Sequence, residues 1–157
     1  MHSLNRTVGW SLFICGLGLA GCASSSSAAG GAATDNFVGT WKYTSGTTTT
    51  NCQGTTSSEN VTGNETITKG SASDLVVSDP SCAFNFSVSG GTATAAPGQS
   101  CTVQVAGGTG METASSLVFT TSDGKTGHVS GTFNVTESSG GASVTCTVSL
   151  TGDLQKL

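Results

Sequence analysis

Between Leu117 and Val148 the chain alternates apolar and polar residues with a period of two, broken only at Ser122-Asp123-Gly124 and around Ser139-Gly140. That period belongs to a strand with one buried face, because successive side chains of an extended chain point to opposite sides. Ser122-Asp123-Gly124 reads as a three-residue hairpin loop with glycine at its left-handed position, and this register pairs Leu117 with Val129. A turn at Ser139-Gly140 pairs Val135 with Val144, Phe133 with Cys146 and Gly131 with Val148. Apolar face meets apolar face across both turns, and a slip of one residue would expose all of it. The segment therefore predicts consecutive antiparallel strands.

The same pattern runs back toward the N-terminus. Phe84, Phe86 and Val88 alternate with Asn85, Ser87 and Ser89, and Gly90-Gly91 is a two-residue hairpin signal. Its register sets Val88 against Ala93 and Phe86 against Ala95, so that large residues meet small ones. Phe37, Gly39, Trp41 and Tyr43 share one face of a first strand, Val61, Glu65 and Ile67 share a face of another, and Leu75 to Val77 forms a short one. No stretch carries a helical period. Eight to ten strands in sequence must close or double over to remove their edges. The expected fold is all-β, an antiparallel up-and-down barrel, with a β-sandwich as the second choice.

Residues 1–36 differ in kind. A short basic start (His2, Arg6) leads into an apolar run from Val8 to Ala20, followed by Gly21 and Cys22. The run is about 13 residues, short of the roughly 20 that span a bilayer, and has the layout of a secretory signal. Leu19-Ala20-Gly21-Cys22 resembles the lipobox of bacterial lipoproteins. The resemblance implies cleavage after residue 21, acylation of Cys22 with palmitate-type chains and stable anchoring in a membrane of the cell envelope. Ala23 after the cysteine, in place of aspartate, points to the outer membrane. Residues 22–36 are small and polar and read as a flexible tether with a reach of roughly 20 Å. The expected domain is 37–157.

Composition agrees with export. Without Arg6, four Lys+Arg stand against nine Asp+Glu, a net charge of 4 − 9 = −5. Charged residues are only 9 % of the chain, far below the usual quarter, so Ser, Thr, Asn and Gly must solvate the surface. The absence of a basic patch argues against nucleic acid as a partner. With Cys15 in the signal and Cys22 lipidated, Cys52, Cys82, Cys101 and Cys146 remain, an even set that reads as two disulfides. Four cysteines allow three connectivities. The hairpin at Gly90-Gly91 carries Cys82 to within two positions of Cys101, which favours Cys82–Cys101 and hence Cys52–Cys146. Long spacings and a single histidine after the signal, His128, fit no metal site.

Gly39-Thr40-Trp41 at the start of the first strand resembles the Gly-x-Trp of lipocalins and related barrels, which implies a tryptophan plugging the closed end. Trp41, Tyr43, Phe84, Phe86, Phe119 and Phe133 would then line an interior, with Glu65 beside them as an inward carboxylate. His128 has outward parity and reads as a solvated residue. Glu65 and Glu112 are a formal carboxylate pair of unknown separation. No nucleophile–base pair and no cofactor motif is present, so the expectation is a non-enzyme. Two functions follow: binding a small apolar or amphipathic molecule inside the barrel, or contacting envelope protein or polysaccharide through the surface.

Overall fold

The structure is a computed structural model that describes residues 31–157 except 80, 81, 106, 107, 140 and 141. The expected signal, Cys22 and the first part of the expected tether lie outside the described residues. Among the described residues a short helix, α1 (Gly31–Phe37), precedes ten strands: β1 (Gly39–Cys52), β2 (Thr55–Asn60), β3 (Asn64–Lys69), β4 (Leu75–Asp79), β5 (Cys82–Ser89), β6 (Thr92–Ala95), β7 (Ser100–Val105), β8 (Gly108–Thr121), β9 (Thr126–Ser139) and β10 (Ala142–Lys156). Every strand pairing is antiparallel.

Eight of the strands close a barrel in the order β1-β3-β4-β5-β6-β8-β9-β10, with β10 returning to β1. The long strands outlast their short neighbours. β1 pairs β3 through Gly39–Lys42 and then β2 through Thr47–Cys52, while β8 pairs β6 through Val118–Thr120 and β7 through Gly108–Thr113. Above the barrel the chain therefore continues as a six-stranded sheet, β2-β1-β10-β9-β8-β7, whose edges are the two extra strands. Where β5 and β7 have no ladder, the Gln99 side chain replaces one: its Oε1 accepts from the Asn85 N–H at 2.8 Å and its Nε2 donates to the Asn85 carbonyl at 2.8 Å.

The hairpin at Gly90-Gly91 has the expected register, Val88 opposite Ala93 and Phe86 opposite Ala95. Gly90 takes a φ of 58°, a left-handed conformation that favours glycine. Gly91 is needed for a different reason, since a Cβ there would strike the Thr121 carbonyl.

Two registers differ from expectation by two residues each. Phe119, not Leu117, faces Val129, and Leu117 faces Gly131. The β8–β9 loop is longer because side chains supply its hydrogen bonds. Asp123 Oδ1 accepts from the N–H groups of Lys125 and Thr126, both at 2.8 Å, and Thr121 Oγ1 accepts from the Gly124 N–H at 3.0 Å. At the second turn Cys146 faces Val135 and Val148 faces Phe133, with residues 140 and 141 between the strands. Both displacements are even, so every inward residue stays inward. The Gln53-Gly54 hairpin and β2 beyond it had no counterpart in the expected strands. Val61 belongs to the β2–β3 connection and not to a strand.

The N-terminal end also departs from expectation. Residues 31–36, assigned to the tether, and Phe37, assigned to the first strand, form α1. Seven residues are too few to show a helical period, and a helix that short forms only when tertiary contacts hold it. Its last four carbonyls are all taken. Thr34 O accepts from Val38 N at 3.4 Å, Asp35 O and Asn36 O from Lys156 Nζ at 3.4 and 3.2 Å, and Phe37 O from Trp41 Nε1 at 2.7 Å. A cation at a helix C-terminus also complements its dipole. Phe37 and Trp41 are both fully buried and both meet Phe119 edge-on, at centroid separations of 5.7 and 4.9 Å. Helix and tryptophan thus seal one end of the barrel.

The core consists of inward residues from every barrel strand, among them Ile67, Leu75, Ala93, Val129, Val135 and Leu154. Inward glycines make room for the largest side chains: Gly127 lies under the ring of Phe119, Gly131 under Leu117 and Phe133, and Gly152 under Tyr43. Cys52 pairs with Cys146, its direct neighbour in the β1–β10 ladder, and Cys82 pairs with Cys101 between β5 and β7.

Two outcomes follow. The disulfides close 94 and 19 residues of chain, so loop entropy makes them unequal: urea unfolding should show Cys52→Ala/Cys146→Ala losing about 4–5 kcal/mol and Cys82→Ala/Cys101→Ala about 3 kcal/mol. A Cβ on Gly127 would come within 2.5 Å of Phe119 Cζ and 3.1 Å of the Thr120 carbonyl. Gly127→Ala should therefore cost about 1–3 kcal/mol by overpacking, and relieving the ring with Phe119→Leu should recover part of it.

Candidate functional site

The residues expected to line a cavity are packed on one another. Trp41, Phe86, Phe119 and Phe133 are buried, and Phe84, half-buried, meets Phe133 at 5.8 Å between centroids. A void bordered by Ile67, Leu75, Val77, Phe86, Ala93 and Phe119 measures about 10 Å³, barely the room a single water needs. Glu65 lies opposite Trp41 on β3 and is half-buried. Its carboxylate accepts a hydrogen bond from Tyr43, whose hydroxyl is pushed far above its ordinary value, first by burial and then by that neighbouring charge. Glu112 sits on β8 between Val135 and Cys101. Inward parity is therefore right for Glu65, and its partner is a phenol of the protein itself.

Chemistry that the sequence did not bring together lies on the outer wall. Thr92, Thr120, His128, Asp153 and Ser45 form one row across β6, β8, β9, β10 and β1. His128 Nδ1 lies 2.8 Å from Asp153 Oδ1, Ser45 Oγ donates to Asp153 Oδ2 at 3.0 Å, and Thr44 Oγ1 donates to the Asp153 carbonyl at 3.1 Å. A β-bulge between Tyr43 and Ser45 turns both hydroxyls toward the same aspartate. His128 Nε2 faces Thr151 Oγ1 at 3.4 Å. The row borders an open hollow of about 960 Å³ at the α1 end, floored in part by Gly90, Gly91 and Gly127.

An imidazole held through Nδ1 by a carboxylate, with a hydroxyl at Nε2, has the layout of an acid–base relay. Here the imidazole and carboxylate are half or more exposed, and β10 is paired on both sides, so its main-chain N–H groups serve the sheet. What the geometry does achieve is to hold a carboxylate. Asp153 is kept below the usual carboxylate range, chiefly by the His128 hydrogen bond and then by Ser45. The expected register placed His128 opposite Thr151. The observed one places it opposite Asp153, and reading the turn as Gly140-Gly141 would have found the pair.

The outer face of the six-stranded sheet is a second feature. Ser100 and Thr102 of β7, Met111 and Thr113 of β8, Thr132, Asn134 and Thr136 of β9, Thr145, Thr147 and Ser149 of β10, Thr49 and Asn51 of β1, and Thr56 and Ser58 of β2 fall in register across it. Neighbours bond to each other, as Thr136 with Thr145 at 2.9 Å and Thr49 with Ser58 at 3.0 Å. None of these positions carries a charge, and only Met111 is a large apolar residue.

Compared with known proteins, the chain matches no protein-family model, no curated protein and no solved structure.

A group whose folded pKa is depressed adds stability above its unfolded value and loses it as pH falls through the folded value. Asp153 should therefore titrate below the ordinary aspartate value in a carbon-detected NMR series, and His128→Ala should move it back up toward that value. An unmoved Asp153 would show that the imidazole does not hold it.

Proposed function

We propose that the chain is a lipid-anchored protein of the bacterial cell envelope, held through Cys22, whose barrel acts as a rigid platform and contacts neutral envelope polysaccharide with its outer sheet face. The observation that carries this reading is the uncharged hydroxyl and amide surface running over six strands. A polyhydroxylated polymer offers donors and acceptors at every residue, and a face of Thr, Ser and Asn offers both in return without the desolvation cost of a buried charge. Each such contact is weak, because it replaces a bond to water. Affinity must come from many contacts made at once by groups already fixed in place, and a closed barrel with packed side chains supplies that rigidity. The packed aromatic residues around the small interior void favour the surface over the interior as the working part. The reading needs no cofactor, metal or catalytic residue.

Thr147 and Ser149 are exposed near the middle of that face. Thr147→Glu/Ser149→Glu places two charges there without touching the core. Wild-type protein should co-sediment with insoluble envelope polysaccharide and the variant should stay in solution, at equal melting temperature. Equal sedimentation of the two would remove this face from the interaction, and no sedimentation of either would remove polysaccharide as the partner.

A further inference from the structure

We propose that the α1 end of the barrel rests against the anionic headgroup surface of the anchoring membrane, so that the six-stranded sheet stands upright and away from it. This rests on the anchor at Cys22. Every lysine of residues 31–157 lies at the α1 end. Lys42 and Lys156 occupy the ends of β1 and β10 beside the helix, Lys69 ends β3 and pairs with Asp35 at 2.7 Å, and Lys125 lies in the β8–β9 turn, where its carbonyl accepts from Lys156 N at 2.8 Å. Four aspartates share this end and stay exposed, each with a partner in the protein, so they balance the four lysines. Asp35 is held by Lys69, Asp74 Oδ2 accepts from Val88 N at 2.7 Å, Asp123 caps its own turn, and Asp153 is held by His128. Lys42 and Lys125 stay exposed, and Leu157 beside them is 72 % exposed.

The other end is acidic. Glu59, Glu112 and Glu137 lie on β2, β8 and β9 toward the sheet that extends beyond the barrel, and no lysine accompanies them among the described residues. A chain that runs from Cys22 to Gly31 spans at most about 30 Å even when fully extended. Strands of 14 residues tilted in a barrel give a height of about 35 Å. The α1 end is thus the end the anchor keeps close, and with its lysines and aspartates in balance it is also the end that an anionic bilayer repels least. The acidic end is repelled. Charge and attachment agree on one orientation, which presents the hydroxyl face to the envelope and the hollow beside His128 to the lipid surface.

The lysines are their own probes. Full-length lipidated protein would be reconstituted on vesicles of phosphatidylcholine with or without phosphatidylglycerol, floated on a gradient, and treated briefly with an amine-acylating reagent. Mass spectrometry then gives the modification rate at each lysine. Lys42 and Lys125 should react several-fold more slowly on the anionic vesicles, and high salt should restore their rates. Flotation with equal rates on both vesicle types overturns the orientation and leaves the anchor standing. Failure to float overturns the anchor, and the orientation with it. As a control that leaves the fold intact, Lys42→Gln/Lys125→Gln should float equally well, while Lys69 and Lys156 lose part of their protection.

Discussion

The ladder between the first strand and the last is the constraint on which the rest depends. β1 pairs β10 from Trp41 opposite Lys156 to Cys52 opposite Cys146, and without that pairing the meander would be an open sheet with two long edges. Closure brings together residues more than ninety positions apart in sequence, the kind of contact that must offset a large loop entropy before it contributes anything. Two devices strengthen it at its two ends. At one, the Cys52–Cys146 disulfide ties the strands covalently. At the other, Lys156 reaches across to the last carbonyls of α1 and lies 5.5 Å from the Trp41 ring, within range of a cation–π contact.

Closing eight strands leaves an interior that side chains can either fill or leave partly vacant. This chain fills its closed end by alternating extremes of size. Phe119, Tyr43, Leu117 and Phe133 lie over Gly127, Gly152 and Gly131, and Phe86 and Val88 face Ala95 and Ala93. The glycines here serve volume more than backbone freedom. Such packing raises density without straining rotamers, and it gives the wall the stiffness on which a surface function would rely. The same closure leaves the sheet beyond the barrel with two short edges, β2 and β7, the second of them secured to β5 by a disulfide and by the Gln99 side chain.

The polar chemistry of this scaffold lies in what projects outward. A bulge in β1 gathers Thr44 and Ser45 around Asp153, and His128 completes a small polar cluster on an otherwise regular wall. Farther along the same strands the outward residues lose charge altogether. The lysines collect where the chain enters the barrel and the glutamates above Tyr43 lie toward the far end, so the molecule is graded along its axis. That gradation is invisible in the net charge of the chain.

By itself the sequence determined the strand class, the facing of nearly every inward residue and the Gly90-Gly91 register, because a period of two is a local property and turns of glycine impose local geometry. It also favoured the disulfide pairing that the structure holds. The register of the last two hairpins needed more. Asp123 and Thr121 lengthen one loop through side-chain hydrogen bonds, and the run Ser139-Gly140-Gly141 permits more than one turn, so parity survived while partners moved by two. That even displacement concealed the His128–Asp153 pair. Only the tertiary structure decided that 31–37 is a helix, since its carbonyls are capped by Trp41 and Lys156, and that Thr55–Asn60 is a strand, since its one partner is β1. Barrel or sandwich was likewise settled by the β1–β10 ladder. A local pattern specifies which face of a strand is buried; which strand lies beside it is set by closure, a property of the whole chain.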